Sequence, residues 1–154
     1  MSPLVHAGAG TLALLTVATF ITSTLVAELF LDHAAITTVK RSIAYAIPLL
    51  VLFVAATGGS GFSLAKRRSG TVVARKSRRM QYIALNGILV LAPAALFLYQ
   101  KASTAAFDSV FYAVQIAELL AGMLQLALLG LNFRDGFILA GRRRNPKAAE
   151  TGRQ

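Results

Sequence analysis

Apolar residues run through this chain in four long stretches separated by short polar connections. They cover about residues 7–31, 42–65, 81–100 and 109–132. None alternates with the two-residue period of a half-exposed strand, and none confines its apolar residues to one helical stripe. About 20 successive apolar residues carry a helix across a bilayer core, and each stretch meets that length. The pattern predicts an all-α bundle of four transmembrane helices over residues 1–141, followed by a basic tail at 142–154. The first stretch has no Lys or Arg before it and is longer than the roughly 7–15 apolar residues of a secretory signal, so it reads as a retained helix.

Composition agrees with this reading. Of 154 residues, 56% are hydrophobic and only 14% charged, against about 25% charged in ordinary globular chains. Cysteine is absent, which excludes a disulfide framework and a thiolate metal site. The net charge of +10 would suggest nucleic acid in a soluble protein. Here the cations are segregated. Lys66, Arg67, Arg68, Arg75, Lys76, Arg78 and Arg79 lie between the second and third stretches, and Arg134, Arg142, Arg143, Arg144, Lys147 and Arg153 follow the fourth. The other connections hold only Lys40 and Arg41, and Lys101. Segments rich in Lys and Arg stay on the cytoplasmic side. Both termini are therefore expected there, in a bacterial inner membrane, with the basic loop touching anionic lipid and no role for nucleic acid. The tail, RRRNPKAAETGRQ, has the composition of a disordered segment.

Ionisable groups inside a bilayer are functional candidates. Glu118 lies near the middle of the fourth stretch, and Gln115, Gly122 and Gln125 share its face at spacings of three and four. That face is expected to point into the bundle, with Gly122 admitting a neighbouring backbone and Asn86 of the third stretch within reach of Gln125. The polar stripe serves either as hydrogen-bond glue or as a site for a ligand, proton or ion. Thr16, Thr19 and Ser23 form a second stripe, read as ordinary packing. Pro48 and Pro93 lie inside the second and third stretches, where each removes a backbone hydrogen bond and two kinks would open a small cavity. The run Thr57-Gly58-Gly59-Ser60-Gly61 closes the second stretch as a site of close packing or a flexible exit.

The halves share landmarks. Leu29-Phe30-Leu31 and Leu96-Phe97-Leu98 precede Ser42-Ile43-Ala44-Tyr45-Ala46 and Ser109-Val110-Phe111-Tyr112-Ala113 by equal distances, and Gly61-Phe62 has a counterpart in Gly136-Phe137. A duplicated hairpin would relate the halves by an axis along the membrane normal.

Only two histidines are present. His6 and His33, placed along the first helix, stand about 40 Å apart at 1.5 Å per residue, so they cannot share a metal or a haem. Glu28, Asp32 and His33 form a candidate outer-face site with no metal expected. His6 early in the first helix, Thr57-Gly58 near the end of the second and a basic segment leading into the third resemble small four-helix bacterial membrane proteins of the copper-resistance-D and HemJ type. That resemblance implies a four-helix fold and, through His6, haem b binding. The chain departs from the type in having no tryptophan and no second histidine within the membrane.

No cofactor is predicted, haem being the alternative. No catalytic nucleophile or acid–base pair is recognisable, so the reading leans away from an enzyme. The first expectation is a helix bundle that self-associates or serves a larger membrane complex, packing through Gly8, Gly10, Gly58, Gly59 and Gly61. The second is a carrier of a small solute, ion or proton using Glu118, Gln115 and Gln125. The third is a haem or redox protein. The topology is directly checkable because no native thiol competes. Ser69→Cys and Ala148→Cys should react with a membrane-impermeant maleimide only after inside-out vesicles are made, and Thr104→Cys should react in intact cells.

Overall fold

A computed structural model of the chain describes the backbone at residues 3–65 and 71–144, and side chains at 5–59 and 78–135. Five α-helices follow one another: α1 (Pro3–Phe30), α2 (His33–Ala65), α3 (Thr71–Asn86), α4 (Ala92–Ser103) and α5 (Ser109–Arg144). A π-helical turn, Gly87–Leu91, joins α3 to α4 without a break. Four segments are long and apolar enough to cross a membrane: Val5–Phe30, His33–Gly59, Arg78–Ser103 and Ser109–Asp135. In hydrocarbon every unpaired amide costs several kcal/mol, so such segments close their hydrogen bonds within themselves.

The helices form a four-sided bundle of two antiparallel hairpins. α1 packs on α2 and α5, α2 packs on α4 and α3, and the α3–α4 segment packs on α5. α2 and α5 thus lie across a diagonal. The two tight turns, Leu31–Asp32 and Thr104–Asp108, define a hairpin end, and the opposite end is the basic one. Near the hairpin end, Ala27, Ile36, Leu98, Ala102 and Phe111 form one core cluster. Toward the basic end, Val17, Ile83 and Leu129 form another. Large apolar side chains such as Leu29, Phe30, Leu52, Leu89 and Ile116 face outward. That is the surface a bilayer solvates.

Several boundaries differ from the sequence reading. α2 starts at His33 rather than Ser42, because the Asp32 carboxylate accepts the Ala35 N–H at 2.9 Å and caps the helix. Lys40 and Arg41 therefore belong to α2 and not to a connection. His33 likewise opens α2 and does not extend the first helix. α3 takes up much of the basic loop from Thr71 onward, and α5 continues to Arg144. The glycine run Gly58–Gly61 is helical, and the Gly58 position faces Met80. Lys66, Arg67 and Arg68 and the tail from Asn145 fall outside the described residues. The landmarks of the apparent repeat do not occupy equivalent places: Ser42 lies well inside α2 whereas Ser109 opens α5.

Pro93 explains the π turn. It has no N–H for the carbonyl four residues back, and the Ala92 N–H reaches five residues back to the Gly87 carbonyl. Pro48 is carried inside α2 without interrupting it. At the hairpin end, α4 closes with Ala106 N–H donating to the Lys101 carbonyl at 2.9 Å and Ala105 N–H to the Ala102 carbonyl at 3.1 Å. This is a Schellman closure, and it holds Ala105 at φ 53. Asp108 then caps α5 by accepting the Phe111 N–H at 2.9 Å and pairs with Lys101. The Lys101 ammonium, and after it the Phe111 N–H, hold the exposed Asp108 carboxyl below the ordinary carboxylate range. A left-handed backbone costs an L-residue about 1–2 kcal/mol and glycine almost nothing. Ala105→Gly should therefore stabilise the bundle by about 1 kcal/mol in detergent unfolding; an unchanged or lowered stability would show that Ala105 is not strained.

Candidate functional site

Polar side chains enter the bundle in three layers along α5. Phe111, Gln115, Glu118, Gly122, Gln125, Leu129 and Asn132 recur at spacings of four and three, which places them on one inward stripe. All are buried except Glu118, which is half-buried.

The layer nearest the hairpin end is centred on Lys40. α2 and α5 both start at that end, so Lys40 lies about 10 Å along its helix and Glu118 about 14 Å along its own, at 1.5 Å per residue. Their long side chains meet across the diagonal. Lys40 Nζ donates to Glu118 Oε2 at 2.6 Å, with Lys40 1% exposed and Glu118 12%. Gln115 Nε2 donates to the same oxygen at 3.2 Å. Glu28, near the end of α1, has Lys40, His33 and Glu118 as its charged or titratable neighbours. Two buried oxygens in this layer, Glu28 Oε1 and Gln115 Oε1, accept no hydrogen bond.

The middle layer joins Asn86 to Gln125. Asn86 Nδ2 donates to Gln125 Oε1 at 2.9 Å and to the Ala121 carbonyl at 3.0 Å, while Gln125 Nε2 donates to the Ile83 carbonyl at 3.1 Å. Both side chains thereby tie α3 to α5 at the start of the π turn. The layer at the basic end pairs Arg79 with Asp135 at 2.9 Å, with Asn132 Oδ1 3.4 Å from the same guanidinium nitrogen. Arg79, expected to meet anionic lipid, instead turns into the bundle. Arg78 is exposed. Lys66, Arg67 and Arg68, and the side chains of Arg75 and Lys76, lie outside the described residues.

The candidate polar residues therefore divide. Glu118 and Gln115 belong with Lys40, and Gln125 belongs with Asn86. Gly122 does not admit a backbone; its face is filled by the Ile21 side chain, 3.3 Å from where a Cβ would stand. Of the outer-face group, only Glu28 joins the ion pair electrostatically. Asp32 is spent on the α2 cap, and His33 stacks on Phe107 with ring centroids 4.1 Å apart. Among the described residues no group of three or more His, Asp or Glu is arranged to hold a metal. His6 Nδ1 lies 3.1 Å from the Thr57 carbonyl, which ties the basic ends of α1 and α2. Thr16 and Ser23 bond back to Leu12 and Phe20 carbonyls of their own helix.

A cavity of about 380 Å³ lies inside the bundle. It runs from Thr24, Ile43 and Glu118 toward Gly59 and Met80, alongside the π turn. Residues 43–59 of α2 line it along about 24 Å, at 1.5 Å per residue. Its walls are mainly apolar, and Glu118 and Gln125 are among its few polar lining residues. The cluster around Phe111 closes the hairpin side. Neither histidine lines the cavity. No known protein family, curated protein or solved structure matches the chain.

Lys40, Asn132 and Asp135 escaped the sequence reading. Continuing the four-and-three spacing past Gln125 would have reached Asn132; nothing local marks Lys40. Removing one member of a buried ion pair leaves an unpaired charge and costs about 3–5 kcal/mol, whereas replacing both by apolar residues is close to neutral. Lys40→Met and Glu118→Leu should each destabilise the detergent-solubilised protein by that order, and the double variant should recover most of the loss. Additive losses would show that the two groups do not depend on each other.

Proposed function

We propose that this small multi-pass membrane protein is a carrier of protons or of a small protonatable solute, with Glu118 as its exchange site. The observation that carries the reading is that Glu118 both holds the buried Lys40 ammonium and stands on the wall of the cavity. Charge balance supports it. Glu28 and Glu118 are two carboxyls facing one ammonium, so one added proton makes the group neutral in a medium that penalises net charge. The cavity extends from Glu118 toward the basic end, and an apolar cluster packs at the hairpin end.

A second reading, a bundle that self-associates or joins a larger membrane complex, draws on Gly8 and Gly130, where open space surrounds the Cα. Small residues of this kind let a neighbouring helix approach closely, and copurification of one stoichiometric partner would favour it.

Proteoliposomes loaded with a pH-sensitive dye test the first reading. Under an imposed pH gradient with potassium and valinomycin, the wild-type protein should collapse the gradient faster than protein-free vesicles, and Glu118→Gln should return the rate to the protein-free leak. Wild-type vesicles no leakier than empty ones, or a Glu118→Gln variant as fast as wild type, would overturn it.

A further inference from the structure

The cavity also constrains what can occupy it. A bare ion or a strongly hydrated solute would have to shed its water along about 24 Å of mainly apolar wall, at 1.5 Å per residue. Gln125, one of the few polar groups on that wall, is already engaged through both its oxygen and its nitrogen. The wall offers little that could replace a hydration shell.

The side of the cavity is less closed than its top. α2 packs on α4 toward the hairpin end and on α3 toward the basic end, with the π turn between. Val51 of α2 and Ile88 of the π turn both line the cavity and are exposed. They lie well inside the apolar spans His33–Gly59 and Arg78–Ser103. The cavity wall that is accessible at their depth adjoins hydrocarbon, not water. An occupant that enters there is itself soluble in the bilayer.

The deep end dictates its head. Glu118 and Thr24 stand on the cavity wall there. Glu118 presents its carboxyl to the cavity, whereas its ammonium partner Lys40 does not line it. An anionic head would face like charge in a low dielectric. A head that donates hydrogen bonds, neutral or cationic, would meet acceptors.

We propose, on the basis of the carrier reading above, that the cavity takes a single-chain amphiphile with a hydrogen-bond-donating head, an amine or an alcohol, which enters sideways from the bilayer between α2 and the π turn. The chain lies along Leu50, Val54 and Leu91, and the head reaches Glu118.

Dodecylamine, dodecanol and dodecanoate, added to the purified protein in mild detergent and followed by native mass spectrometry, provide the test. The amine and the alcohol should stay bound and the carboxylate should not. Filling the cavity with Ala55→Leu or Ala84→Leu should weaken retention of the amine by about tenfold or more, with the helical circular dichroism and the melting temperature near those of wild type. Glu118→Gln should weaken the amine more than the alcohol. Retention of dodecanoate equal to that of the amine would overturn the assignment of the head, and retention untouched by either filling variant would overturn the location. Proton flux in proteoliposomes together with no retained amphiphile would sink this inference and leave the carrier reading standing. Retention with no flux would do the reverse, leaving a lipid-binding bundle.

Discussion

A charged ammonium buried between helices cannot be left alone. Lys40 lies where hydrocarbon or packed protein surrounds it, and Coulomb attraction there is far stronger than in water because little solvent screens it. Its bond to Glu118 joins two helices that have no broad packing surface in common. Among the described residues the broad packing surfaces are between neighbouring helices, and this pair crosses the middle. It fixes how the first hairpin seats against the second, because a turn of α5 in either direction would carry Glu118 away from the ammonium.

The third span shows how one local constraint shapes the interior. Pro93 takes away a hydrogen bond, the helix widens into a π turn, and the segment Gly87–Leu91 stands off α2. The amides that anchor the widened segment are those of Asn86 and Gln125, one at the mouth of the turn and one across on α5. The chain on either side of the turn is held, by the packing of α4 on α2 at one end and by the Asn86 layer at the other. A cavity next to a polar layer, with the ion pair at its head, follows from those three features together.

The α5 stripe links both regions. Its four-and-three spacing puts Gln115 and Glu118, then Gln125, then Asn132 on the same side, and each meets a different partner: Lys40, Asn86 and Arg79. Three hydrogen-bonded layers are separated by apolar or small residues, so the helix is held at several depths while Ile116, Leu120, Met123 and Leu124 face outward.

Much of this was legible before any coordinates. Length and apolarity determine four membrane helices, because only helices satisfy their own amides in oil. The spacing along α5 determines that Glu118 and Gln125 face inward, because a polar side chain toward lipid is costly. Asn86 near Gln125 followed from depth alone. What the tertiary structure decided was partnership. Lys40 read as the charged end of a short connection, since nothing local distinguishes a lysine at a helix start from one inside a span; Glu118, arriving from 78 residues away, pairs with it inside the helix that Asp32 caps. Arg79 read as a lipid contact until Asp135 came within reach. Charge–charge pairs between distant segments depend on three-dimensional approach, and a sequence records the charges without recording the distances between them.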